Sequence, residues 1–220
     1  MKRLVFFLLV IGMGMSLFAQ VQLPEHSFAS GSWTESNNRL YQNDANARLA
    51  KVNIKAPQSG SMLYEFNARY ESGAEDGHGG FGLHIFADNV YNGPSWGSGK
   101  SWLLWLNYDE NPSNNAIPKG LSAQVYRSYT NSRMELVQNI DLNQYVNLLT
   151  PENLTYSVPF RIWVNGDTGE VRVYDPTDPD LASYFYFNID KKDVPLKGDW
   201  VALRTNGIKL SFATGLGSGM

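Results

Sequence analysis

The 220-residue chain contains no cysteine. Disulfides, thiolate metal centres, cysteine nucleophiles and attachment through a lipidated cysteine are therefore all excluded. Histidine is nearly as scarce, with only His26, His78 and His84. No His-Glu-x-x-His spacing is available to seat a catalytic zinc. There is no Gly-x-Ser-x-Gly elbow, so a serine hydrolase would lack its nucleophile turn. Lys and Arg number 18 against 21 Asp and Glu, for a net charge of −3, and they form no cluster. Without a phosphate-binding stripe, nucleic acid is not an expected partner.

Residues 1–19 read as an export signal. Lys2 and Arg3 precede an uncharged apolar run over residues 4–15, and Ser16-Leu17-Phe18-Ala19 offers a cleavage site. Gly12, Gly14 and Ser16 interrupt the run, which falls short of the roughly 20 residues a bilayer span needs. No later stretch reaches that length, so no transmembrane anchor is expected after cleavage, and the destination is periplasmic or extracellular. Cleavage leaves 220 − 19 = 201 residues and, by removing Lys2 and Arg3, moves the net charge from −3 to −5. A chain of that size buries roughly 70% of its unfolded surface and folds without a disulfide. The expected organisation is an N-terminal extension over 20–30, one β-sandwich domain over 31–214 and a flexible tail over 215–220.

What the sequence has in abundance is period-2 alternation of β-branched and aromatic residues. Eleven runs stand out, over residues 48–54, 61–70, 80–87, 101–108, 121–128, 133–140, 158–164, 170–174, 184–189, 200–204 and 208–212. Asn165-Gly166-Asp167 predicts a type I′ hairpin, and Asn206-Gly207 a second tight one. Pro176 and Pro179 stop the strand that precedes them. Only residues 141–149 look helical, with Asp141 as N-cap and Leu142, Tyr145, Val146 and Leu149 on one face. The fold expected is all-β, a two-sheet antiparallel jelly-roll sandwich with one short helix.

The opening Gly31-Ser32-Trp33-Thr34, the phrase Leu63-Tyr64-Glu65-Phe66-Asn67-Ala68-Arg69-Tyr70 followed by Gly79-Gly80-Phe81-Gly82-Leu83, and the closing Asp199-Trp200-Val201-Ala202-Leu203-Arg204 together resemble the concanavalin A-like lectin/glucanase jelly roll, including its laminin G-like members. The resemblance implies that residues 31–34 pair with the end of the chain. It is silent on function, because such folds host lectins, hydrolases and structural modules alike.

No paired-carboxylate glycosidase run occurs, neither Glu-x-Asp-x-Glu nor a variant of it. Glu65 and Glu71 share a strand face but stand about 20 Å apart, beyond the roughly 5–10 Å of a glycosidase pair. Asp76, Asp88 and Asp109 lie at strand ends and are the candidates for a structural calcium; turn geometry selects the same residue types.

Aromatics make up 13% of the chain, with six tryptophans. In β-alternation, Trp102, Leu104, Leu106 and Tyr108 face one way and Leu103, Trp105 and Asn107 the other. With the first set in the core, Trp105 and Asn107 project outward. His84, Phe86, Gln124 and Tyr126 are expected on that same side, with Asn67 and Arg69 completing the surface and Trp96 on a loop beside it. Rings cover the apolar face of a sugar while amides and guanidinium fix its hydroxyls. Arg204 is expected to pair with a carboxylate across the sheet. The expected function is a secreted, non-catalytic β-sandwich that binds carbohydrate or a cell-envelope polymer. The alternatives are a structural or self-assembling protein of the envelope or a surface appendage, and a glycoside hydrolase or lyase.

Overall fold

A computed structural model describes residues 22–143, 157–176, 178, 180–190 and 192–215. The described residues form fourteen strands and no helix. In chain order these are β1 (His26–Ser30), β2 (Trp33–Ser36), β3 (Arg39–Gln42), β4 (Ala50–Gln58), β5 (Ser61–Gly73), β6 (His78–Ala87) and β7 (Ser101–Asp109). They continue with β8 (Gly120–Ser128), β9 (Met134–Asp141), β10 (Val158–Asn165), β11 (Glu170–Tyr174), β12 (Tyr184–Asn188), β13 (Gly198–Asn206) and β14 (Ile208–Thr214). Two seven-stranded antiparallel sheets stack face to face. The front sheet runs β1-β4-β13-β6-β7-β8-β9 and the back sheet β12-β11-β10-β5-β14-β3-β2.

Alternation decides which side chains meet between the sheets. The front sheet sends Phe81, Leu83, Ile85, Trp102, Leu104 and Val125 inward, and the back sheet answers with Ala68, Phe160, Ile162, Leu210 and Phe212. Phe81 meets Phe160 edge-on at 5.3 Å, and Phe160 stacks on Phe66 at 5.2 Å. Such aromatic pairs add about 0.5–1.5 kcal/mol each beyond the area they bury.

All eleven alternating runs are strands, and the departures lie at the ends of elements. Residues 26–30, read as part of an extension, form β1 and pair with β4 as the edge of the front sheet. The residues from Trp33 onward form the hairpin β2–β3, turning at Asn37 and Asn38, both in the left-handed region (φ 51° and 58°). It is β3, not residues 31–34, that pairs with the C-terminal strand β14. The β10–β11 hairpin is present, but its turn is not the two-residue type. The left-handed residue is Gly169 (φ 83°), and Asn165 Oδ1 accepts the Asp167 and Thr168 amides. Asn206-Gly207 makes no hairpin at all, because β13 lies in the front sheet and β14 in the back one. Gly207 (φ 65°) carries the chain across, its amide bonded to the Ala47 carbonyl. Of the expected helix, residues 144–149 lie outside the described residues; Asp141 ends β9 and accepts the Asn143 amide. The export signal and the tail beyond residue 215 also lie outside them.

Candidate functional site

The outer face of the front sheet is built from ladders of residues in register. One ladder reads Lys51, Arg204, Gly82, Trp105, Gln124, Asn139 across β4, β13, β6, β7, β8 and β9. The next reads Asn53, Ala202, His84, Leu103, Tyr126, Leu136. Antiparallel pairing therefore brings together five residues singled out in the sequence: His84, Trp105, Asn107, Gln124 and Tyr126.

Two glycines shape the centre. Gly82 sits between Arg204 and Trp105, so no side chain separates the guanidinium from the indole, and Arg204 Cζ lies 5.0 Å from the Trp105 ring. At Gly80 a methyl group would stand 2.5 Å from Trp105 Cζ2; the indole lies where that side chain would be. Trp105 Nε1 donates to Asn107 Oδ1 at 3.0 Å. Beside it, Tyr126 Oη donates to Gln124 Oε1 at 2.7 Å and Gln124 Nε2 donates to Ser122 Oγ at 2.9 Å.

Part of this face is roofed by the loop between β6 and β7. Lys51 Nζ donates to Ser95 Oγ at 2.6 Å and to the Gly97 carbonyl at 2.7 Å. The Gly97 amide donates to the Asn131 carbonyl at 2.9 Å, tying the loop to the β8–β9 turn. Arg204 Nη1 donates to the Trp96 carbonyl at 2.9 Å, and the Trp96 ring lies 5.1 Å from Arg204 Cζ. The guanidinium is thus held between two indoles. Trp105, expected to project outward, is only 7% exposed, whereas Trp96 on the loop is 55% exposed and presents the open ring.

The electrostatics are unusual for a surface face. Burial, and then neighbouring Arg204, lowers the Lys51 ammonium to about 7. Burial lowers Arg204 to about 10. His84 is enclosed with Nδ1 2.9 Å from Ser101 Oγ, and burial, followed by the charges of Lys51 and Arg204, holds it well below the usual imidazole range. Arg204 does not pair with a carboxylate across the sheet; no ion pair or hydrogen bond joins it to one among the described residues. Lys51 and Arg204 were legible as outward-facing, since Val52, Val201 and Leu203 claim the core positions beside them. Their burial was not, because it comes from a loop 44 residues along the chain from Lys51 and 108 from Arg204.

Three expected members lie elsewhere. Asn67 and Arg69 are on β5, on the outer side of the back sheet. There Arg39 Nη1 donates to Asn67 Oδ1 at 2.6 Å, and Arg69 Nε donates to Glu71 Oε1 at 2.8 Å. Phe86 turns into the core, because a bulge opposite β13 and a left-handed backbone (φ 55°) rotate it inward, where Gln58 Oε1 accepts its amide.

The three aspartates do not form one centre. Asp76 accepts the His78 amide and pairs with Arg48 at 3.3 Å, and Asp109 pairs with His78 Nε2 at 3.1 Å. Asp88 lies past the opposite end of β6, accepting the Lys100 amide. Among the described residues no three His, Asp or Glu side chains stand together as metal ligands.

Solved structures of similar shape decide the fold. The carbohydrate-binding module CBM66 from Bacillus subtilis superposes with a TM-score of 0.53 at 10% identity, over 87% of this chain and 93% of that one. Peanut lectin gives 0.52 at 15% identity, over 86% and 90%. The exoplasmic/lumenal domain of VIP36 gives 0.54 at 14% identity, over 86% and 84%. The fold is that of the concanavalin A-like lectins. At these identities the likeness is one of architecture. No protein-family model and no curated protein sequence matches the chain.

Proposed function

We propose that this protein is an exported, non-catalytic carbohydrate-binding β-sandwich whose site is the outer face of the front sheet. The observation that carries the reading is the pair of indoles around Arg204, with Trp96 open to solvent and Tyr126, Gln124 and Asn107 beside it. An exposed ring offers a stacking surface to the C–H face of a sugar, and the half-buried Asn107 amide and Tyr126 hydroxyl offer polar groups to its hydroxyls, with buried Gln124 bonded to Tyr126 and Ser122 behind them. That solved structures of this shape include a carbohydrate-binding module and a lectin supports the same reading. Among the described residues no carboxylate is bonded to Trp105, Asn107, Gln124, Tyr126 or Arg204, so the hydrolase scheme of two facing acids finds no support there.

Glycan-array binding of the protein, with calcium and with chelator, tests the proposal. Selective binding that Trp96→Ala abolishes supports it, and loss of binding in chelator would assign a role to calcium. A blank in both conditions would overturn it. One observation favours assembly as a second reading: Leu63, Tyr184 and Tyr186 stand about half exposed on the outer side of the back sheet. Assembly through that surface would be lost in Leu63→Ser and Tyr186→Ser, with glycan binding unchanged.

A further inference from the structure

The two central ladders of the front face hold twelve residues, of which Lys51 and Arg204 carry the positive charge and none is an acid. Residues 89–99 of the roofing loop contribute no acid either. In the adjoining ladder the carboxylate is Asp141, at the β9 edge, and Asn143 occupies it through its amide and its side chain. Arg204 is 3% exposed and makes one hydrogen bond, to the Trp96 carbonyl; its Nε is enclosed and bonded to nothing among the described residues. On the back sheet Arg161, Arg69 and Arg172 are each held by a glutamate, Glu65, Glu71 and Glu170, at 2.6–2.8 Å. The buried Arg39 there has no carboxylate bonded to it among the described residues but makes four hydrogen bonds, to Ser211 and Asn67, where Arg204 makes one.

We propose that Arg204 is the receptor for an acidic substituent, a carboxylate or a sulfate, on the bound saccharide, so that this site takes anionic glycans in preference to neutral ones. The inference rests on the carbohydrate reading of the same face. A guanidinium presents planar N–H donors that match an oxyanion in its plane, and with both indoles within about 5 Å of Cζ and Nη1 on the Trp96 carbonyl, Nη2 is the donor left for a ligand. Trp96 provides the entry: its indole makes no hydrogen bond among the described residues and is the exposed half of the bracket. A sugar stacked on Trp96 brings its acid group to the guanidinium edge. Lys51 lies across β13 in the same ladder, faced by Arg204 and His84, and its lowered ammonium favours proton uptake as an anion arrives. General charge does not explain such a preference, since the chain as a whole is negative at −3.

The test is calorimetric titration with oligogalacturonate, oligomannuronate, a sulfated dextran oligosaccharide, methyl-esterified oligogalacturonate and unmodified dextran. At least one acidic probe is expected to bind about tenfold tighter than its neutral counterpart, with a heat that depends on the buffer's ionisation enthalpy because a proton is taken up. Arg204→Gln should remove the preference, whereas Trp96→Ala should weaken acidic and neutral ligands alike. Arg204→Lys retains the charge without the fork and serves as the second variant, with thermal melting of each confirming that it folds. Tight binding of the sulfated probe alone upholds the proposal and assigns the acid as sulfate. Equal binding of acidic and neutral probes overturns it while leaving the carbohydrate reading standing. No binding of any probe removes both.

Discussion

The outer faces of the two sheets are made from similar residues and treat charge in opposite ways. On the back sheet, Arg161, Arg69 and Arg172 stand at the surface in ion pairs with Glu65, Glu71 and Glu170, and the buried Arg39 places its donors on Ser211 and Asn67. On the front sheet, Lys51 and Arg204 are sealed beneath a loop with ring faces, a serine and carbonyl oxygens for company. Removing a cation from water costs several kcal/mol, while a cation–π contact returns about 0.5–2 kcal/mol. The back face therefore gives each of these cations an acid or, for Arg39, four hydrogen bonds, where Arg204 has one. The front face holds charge where stability alone would not place it, which is what the proposed ligand site would require.

The most damaging way to break this contrast is to fill the space at its centre. A methyl group at Gly82 would overlap the Leu104 carbonyl oxygen and crowd Trp105 Cα at 2.9 Å. Both are backbone atoms of the neighbouring strand, so β7 would have to move. Gly82→Ala is expected to destabilise the protein by about 3 kcal/mol, lowering Tm by roughly 6–12 °C for a domain of this size, and to open the indole bracket. Thermal melting and Trp96 fluorescence read the two effects separately.

Proton linkage sharpens the comparison next, because only the front face contains a buried amine. Lys51 titrates at about 7 in the folded protein against 10.5 for an ordinary lysine. Below pH 7 both folded and unfolded chains hold the proton, and folding bears the whole burden of burying it. Between about 7 and 10.5 the unfolded chain holds a proton that the folded one has released, so stability rises with pH. The expected gain is roughly 2 kcal/mol between pH 7 and 9, since a full unit contributes about 1.4 kcal/mol. The window is clear of its neighbours: His84 titrates below 6.5 and Arg204 only from about 10. Lys51→Met should flatten the rise, as measured by urea unfolding across that range. A rise that persists in the variant would place its origin elsewhere.

Replacing the unpaired guanidinium has a smaller effect, and its sign is the diagnostic part. Arg204→Met keeps much of the packing between the indoles and removes a buried charge without orphaning a partner carboxylate. Stability is expected to increase by about 1 kcal/mol, visible as a rise in Tm of roughly 2–4 °C. A fall instead would mean that the bracket owes its stability to the cation.

How far this was legible from sequence depends on the range of the interaction. Strands β4 to β14 announce themselves through alternation, and so does the outward direction of Trp105, Asn107, Gln124 and Tyr126, because each is decided by the residues next to it. Sheet membership is not local. Nothing in residues 61–73 says that β5 joins the back sheet, which is why Asn67 and Arg69 were grouped with a face they do not share. Gly207 follows the same logic: an Asn-Gly pair signals a reversal, and only the tertiary fold makes it a crossing between sheets. Phe86 was displaced by a single bulge. The burial of Lys51 and Arg204 follows from the roofing loop, a contact between distant segments that no periodicity encodes. What alternation alone could have supplied, and the reading did not use, was the outward position of Arg204 beside the core residues Val201 and Leu203.

The smallest expected effect is the control for all the others. Arg161 and Glu65 pair at 2.8 Å on the back face, in bidentate-capable geometry and with solvent beside them. An exposed pair of this kind contributes about 0.2–1 kcal/mol, because water screens it and two long side chains lose freedom to make it. Arg161→Met should therefore lower stability by less than 1 kcal/mol, opposite in sign to Arg204→Met, and leave glycan binding unchanged. Raised salt should shrink even that difference, while the Arg204 substitution, shielded beneath its loop, should respond far less. If the two substitutions moved stability in the same direction by the same amount, the two faces would be electrostatically alike, and the case for a ligand-directed charge on the front sheet would go with the distinction.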